Sequence, residues 1–194
     1  MSEIFSQHLW QWLILLAVLG FAIYALFIIK NEKQTFIDES SPLSLGEVSL
    51  DIPNWWTLTR EEENSYYYER TDTRYEWFSK LDFVTANEFE KIEDIFDRYI
   101  LKQSVQFDPD VTITTNPRHL FFAEGTADKI IECLRVEGMG TQHGNKRIYW
   151  DVYLFRLNDS SDYYIFESWS SVLNGMLEGP FFEESVSRMR ITST

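Results

Sequence analysis

The sequence is poor in cysteine, histidine and positive charge, and each shortage removes a class of protein. Its one cysteine, Cys133, excludes an intramolecular disulfide framework and any cysteine-rich metal cluster. Three histidines (His8, His119 and His143) leave little from which to build a triad or a multi-histidine metal site, and no Gly-x-Ser-x-Gly elbow is present. Against 31 acidic residues stand only 17 basic ones, a formal charge of −14. Phosphate binding needs a basic footprint, so nucleic acid is not expected as a partner. The first 29 residues hold no Lys or Arg at all.

Apolar and aromatic side chains are plentiful instead. The chain is 44% hydrophobic and 16% aromatic, enough to offset the entropy of ordering, which argues against disorder. Residues Leu9 to Ile29 run for 21 positions without a charge, with Gln11 the main polar interruption. At 1.5 Å per residue this spans about 30 Å, the thickness of a bilayer's hydrocarbon core. Trp10 and Trp12 lie near its start and Tyr24 near its end, where amphipathic rings favour the interface; Leu16, Phe21 and Phe27 supply apolar bulk. The preceding segment has no basic n-region, and no small-x-small site follows, so a retained signal anchor is expected rather than a cleaved signal peptide. Lys30 and Lys33 just after the span lean toward a cytoplasmic soluble portion by the positive-inside bias. In a bacterium the membrane would be the inner one.

The expected organisation is a short tail over 1–8, a transmembrane helix over 9–29, an irregular linker over 30–45 and a soluble domain over 46–194. From Lys30 onward lie all 17 basic and 30 of the acidic residues, a net of −13. Val48, Leu50 and Ile52 alternate with polar neighbours and predict a strand ended by Pro53. Trp55 to Thr59 begins another. Ser65 to Val84 predicts a hairpin turning near Thr71-Asp72-Thr73, with Tyr75, Trp77, Leu81 and Phe83 inward and Glu76, Lys80 and Asp82 outward, as on a half-buried sheet. The period then changes. Phe89, Ile92, Phe96, Tyr99 and Gln103 recur at helical spacing behind a capping-box-like Thr85-Ala86-Asn87-Glu88, predicting a helix over 87–103. Strands are expected at Val111–Thr115, Leu120–Glu124, Lys129–Glu137, Lys146–Leu157 and Tyr163–Val172, the last three as an antiparallel meander. The connection Gly138–Asn145 reads as a glycine-rich loop. Gly179-Pro180 opens a closing helix whose stripe is Phe182, Val186 and Met189.

Reactive candidates are few. Cys133 sits in a strand-like run and behaves as a small apolar residue, and His119 follows Pro117-Arg118 at a strand edge. Gly138-x-Gly140-x-x-x-Gly144 lacks the spacing and the following helix of a phosphate loop. Asp108-Pro109-Asp110 and Asn158-Asp159-x-x-Asp162 are turn chemistry rather than a calcium loop. No catalytic residue, cofactor or metal site is assigned, and the chain is not expected to be an enzyme.

The order of elements resembles the Mog1/PsbP-like superfamily. An opening strand ends in Ile52-Pro53-Asn54-Trp55, a hairpin, a helix and a three-arm meander follow, and Phe181 to Met189 closes the chain in a manner similar to that family's last helix. The resemblance covers Gly46 to Ile191. It implies an α+β fold, an antiparallel sheet flanked by helices, and a mostly non-enzymatic, protein-binding role. The expected function is therefore binding or assembly of other membrane or membrane-proximal proteins, with the bilayer itself as a further partner. Contacts are expected at Trp55, Trp56 and Tyr67, because adjacent aromatics on a strand face opposite ways, and at Glu90 and Asp94 on the acidic helix. The alternative is a carrier of a small apolar ligand or lipid in a pocket lined by Trp77, Trp150, Phe166 and Trp169.

Overall fold

A computed structural model describes residues 2–73, 76–86, 88–109, 113–116 and 122–192. The chain divides into two compact units, Met1–Ser40 and Ser41–Thr194.

The first unit is one helix, α1 (Ser2–Glu39). Its window Leu9–Ile28 has a mean hydropathy of 2.3 over 20 residues, none of it buried, and is long and apolar enough to cross a membrane. Trp10, Trp12, Leu16, Phe21, Tyr24 and Phe27 are all exposed along it. The helix does not stop where the apolar run stops, and the irregular linker expected over 30–45 is replaced by helix to Glu39 and strand thereafter. Residues 31–39 contain neither Gly nor Pro, and Gln34 Nε2 donates to Asp38 Oδ1 at 2.9 Å one turn on.

The second unit holds two sheets. A small antiparallel one orders β1 (Ser40–Leu45), β2 (Val48–Pro53) and β11 (Arg190–Ile191), with Pro42 tolerated because β1 is an edge. The larger one, eight-stranded among the described residues, orders β3 (Thr57–Glu62), β4 (Ser65–Glu69), β5 (Trp77–Val84), β10 (Tyr163–Ser170), β9 (Lys146–Leu157), β8 (Ile130–Gln142) and β6 (Val105–Phe107). β7 (Ile113–Thr115) also pairs with β8. β3 is exposed throughout, and its register on β4 shifts between Leu58 and Arg60. The helices are α2 (Ile92–Gln103), the single turn α3 (Glu124–Ala127) and α4 (Val172–Ser187). This is the expected antiparallel α+β fold, including the β8–β9–β10 meander.

Strand alternation sends side chains to two cores. Trp77, Leu81, Tyr153, Phe155, Tyr164 and Phe166 join the small sheet and Phe182, Val186 and Met189 at the α4 end in one cluster. Trp150, Val152, Leu154 and Ile165 on the other face pack under Ile92, Ile95 and Phe96 of α2. The large sheet is thus covered on both sides, and Asp82, expected outward on a half-buried sheet, is 5% exposed.

Several boundaries differ from expectation for tertiary reasons. α2 starts at Ile92 with Lys91 as a cap making no side-chain bond, so the capping box at Thr85–Glu88 is not used; Asn87 itself lies outside the described residues. β8 runs straight through the expected glycine loop to Gln142. A Cβ on Gly140 would lie 2.8 Å from the Gln106 carbonyl oxygen of β6, so this glycine admits a neighbouring backbone instead of making a turn. The turn is His143–Asn145, with Gly144 at φ +77°. α4 starts seven residues before Gly179 and carries Pro180 in its interior. Gly175 is where α4 meets the Tyr149 ring, since a Cβ there would sit 2.3 Å from it. The expected strand at Leu120–Glu124 is not one in its described part, which bends at Phe122 and enters α3. Tyr75, Asp110, Val111, Thr112, Pro117, Arg118, His119, Leu120 and Phe121 lie outside the described residues.

Candidate functional site

On the α2 side of the large sheet, the helix does not reach the outer strands. Alternation puts Tyr67 and Glu69 of β4, Phe78 and Lys80 of β5, and Glu167 and Trp169 of β10 on this face. With Lys102 and Gln103 from the last turn of α2, they line a partly enclosed cleft of about 330 Å³.

Glu167 is its unusual member. It is 4% exposed, yet its partners are neutral: the Tyr99 hydroxyl donates to Oε1 at 2.6 Å and Trp150 Nε1 donates to Oε2 at 2.9 Å. Among the described residues it forms no salt bridge. Burial pushes its carboxyl up to about 7, against the pull of Tyr99, Lys80 and Trp150. Burial and the nearby Glu167 in turn raise the Tyr99 hydroxyl. Lys80 donates to Asp82 Oδ2, while Asp82 Oδ1 is buried without a hydrogen-bond partner. The aromatic walls carry cations. Phe78 stacks on Trp169 at 4.3 Å and 19°, Lys146 lies 4.8 Å from the Trp169 ring, and Arg60 and Lys80 lie 5.0 and 5.4 Å from Tyr67. Such a site suits a ligand part apolar and part charged, and its carboxyl can exchange a proton near neutral pH. No group of three or more His, Cys, Asp or Glu able to hold a metal occurs among the described residues.

The residues expected at a partner surface are not brought together. Trp56 is 4% exposed: its Nε1 donates to Glu178 Oε2 at 3.0 Å and its ring packs on Trp77 at 4.4 Å. It is a core residue, not a contact. The strand argument misleads because Trp55 and Trp56 lie in a turn, closed by the Trp56 amide on the Pro53 carbonyl, so both rings swing the same way. Trp55 is half-buried, edge-on to Phe181 at 5.2 Å. Tyr67 lines the cleft, whereas Glu90 and Asp94 are exposed at the opposite end of α2, Glu90 paired with Arg98 at 2.6 Å. An apolar pocket built from Trp77, Trp150, Phe166 and Trp169 is not formed. Trp77 and Phe166 belong to one core, Trp150 and Trp169 to the opposite face, and only Trp169 reaches the cleft. Cys133 is buried at 4% exposure. Glu167 went unnoticed in the sequence; its one signal was an acid in line with Tyr163, Ile165 and Trp169 on an otherwise apolar strand.

No protein-family model matches the chain, and no curated protein matches it in sequence. Solved structures do resemble it. A Pseudomonas aeruginosa protein of unknown function superposes with a TM-score of 0.50 at 8% identity, covering 80% of this chain and 99% of its own. Cyanobacterial PsbP from Synechocystis gives 0.51 at 10% identity over 79% of this chain and 93% of its own. The Saccharomyces cerevisiae Ran-binding protein Mog1p gives 0.47 at 11%, over 79% and 96%. The likeness is one of fold: the domain is an antiparallel sheet flanked by helices, as in cyanobacterial PsbP.

Proposed function

We propose that this chain is a non-enzymatic, single-pass membrane protein whose acidic α+β domain binds, or helps assemble, other membrane or membrane-proximal proteins. The observation that carries the reading is α1: an uncharged, predominantly apolar window of 20 residues with none buried, rings near both ends, and a folded domain following in the same chain. Leaving that much apolar surface in water is costly, at roughly 25 cal/mol per Å². Anchoring also raises the local concentration of any partner in the same membrane. The solvent side of α2 offers contact chemistry, with Glu93, Asp94 and Asp97 beside Leu101 at 79% exposure, and Phe89 at 66% just before the helix. Lys30 and Lys33 support a cytoplasmic domain, which a reporter fused after the last residue tests directly.

Native mass spectrometry of gently extracted membranes tests the whole reading. The expected result is an intact chain in the membrane fraction, retaining protein partners. A chain found only in the aqueous fraction, trimmed beyond Ile29, or always alone would overturn it.

A further inference from the structure

The cleft at the end of α2 holds a buried carboxyl whose hydrogen bonds, among the described residues, come from neutral donors. Glu167 is nearly sealed from solvent, lines a cavity, and has no ion-pair partner among the described residues. A buried carboxylate is ordinarily paired or neutralised by taking up a proton. Lys80, its cross-strand neighbour on β5, pulls on Glu167 through space but makes its salt bridge with Asp82. We propose that the cleft receives a cationic side chain, arginine or lysine, carried by a partner polypeptide, with Glu167 as its counter-ion and Tyr67 and Trp169 as its aromatic walls. The inference rests on the assembly reading and specifies the partner's chemistry.

Three features favour a cation. Glu69 and Glu167 balance Lys80 and Lys102 in the cleft lining, and α2 ends there, adding the partial negative charge of its carbonyl end. The rings already accept cations from this same chain. Arg60 and Lys146 are exposed, at 64% and 44%, and among the described residues their salt bridges are with the exposed Glu62 and Glu76. Exposed pairs contribute little, so an incoming cation displaces them readily. Finally, the volume suits one long side chain, lying at the low end of ligand pockets.

Affinity should depend on pH. Glu167 is faced by Lys80 and Asp82 from β5, Tyr99 and Gln103 from α2 and Trp150 from β9, with Lys102, Tyr67 and Glu69 further round the cleft. A cation beside it favours the ionised carboxyl, so binding releases a proton and tightens as pH rises through neutrality.

The test is calorimetric titration of the full chain in nonionic detergent micelles with acetyl-Gly-Arg-Gly-amide, its citrulline isostere and spermidine. The arginine peptide should bind at least tenfold tighter than the citrulline one at pH 8, and at least fivefold tighter at pH 8 than at pH 5.5. Glu167→Gln and Trp169→Ala should each weaken it tenfold. Equal binding of the two peptides overturns the proposal and needs no variant, so a misfolded variant cannot shield it. Spermidine binding tenfold tighter than the arginine peptide overturns assignment to a polypeptide. A Glu167→Gln chain keeping every wild-type partner in native mass spectrometry overturns the cleft's role and leaves the assembly reading intact. A wild-type chain without partners overturns that reading, and the titration then decides the cleft alone.

Discussion

Two buried carboxylates on neighbouring strands have opposite company. Asp151 of β9 faces α4 and Glu167 of β10 faces α2, each under 5% exposed. Arg135 grips Asp151 with both arms, Nε at 3.0 Å and Nη2 at 2.9 Å, and reaches Glu137 and Glu183 as well. Among the described residues Glu167 is hydrogen-bonded by a phenol and an indole, with Lys80 pulling on it through space. Burial raises both, Asp151 to about 6 against the bonds and charge of Arg135, and Glu167 to about 7 with no guanidinium at hand. A closed ionic cluster has no room for another cation; a carboxyl held by neutral donors beside a cavity does.

Variants can break this contrast. The largest effect is expected for Arg135→Ala, which strands the buried Asp151, unpairs Glu137 and Glu183 beside it, and should cost about 3–5 kcal/mol in urea unfolding. Next comes the pH dependence of Glu167→Gln. The folded carboxyl is raised from 4.5 to about 7, so the native state holds its proton more tightly than the unfolded chain. The resulting penalty is absent below about pH 4.5 and accrues as pH rises through 7. Wild type should therefore lose about 3 kcal/mol relative to Glu167→Gln between those limits, read from paired denaturation curves. A flat difference would mean that Glu167 has a counter-ion after all. Tyr99→Phe removes one donor and should cost about 1–3 kcal/mol, while steepening that dependence. Smallest is Glu90→Ala, whose exposed pair with Arg98 should leave the unfolding midpoint unchanged.

Periodicity revealed the elements better than their ends. The alternation of Val48, Leu50 and Ile52 and the spacing of Ile92, Phe96 and Tyr99 report which face is buried, a property of a few consecutive residues. Gly140 and Pro180 misled because neither sits at the local boundary its residue type suggests: Gly140 admits the backbone of β6, and Pro180 lies inside α4. The site was less legible still. The burial of Glu167 depends on α2, which four strands separate from β10 in the chain's order, and on Tyr99 and Trp150 meeting there. Trp56 shows the converse: its fate is decided by one turn that directs it onto Trp77 and Glu178.

The kinked outermost strand has a consequence for crowding. Were α1 to anchor copies in one membrane, they would meet edge to edge far more often than free ones, and a straight, bare β3 would let them polymerise through backbone hydrogen bonds. The register slip at Leu58 and Arg60, followed by Glu61, Glu62 and Glu63, spoils that template and makes like edges repel.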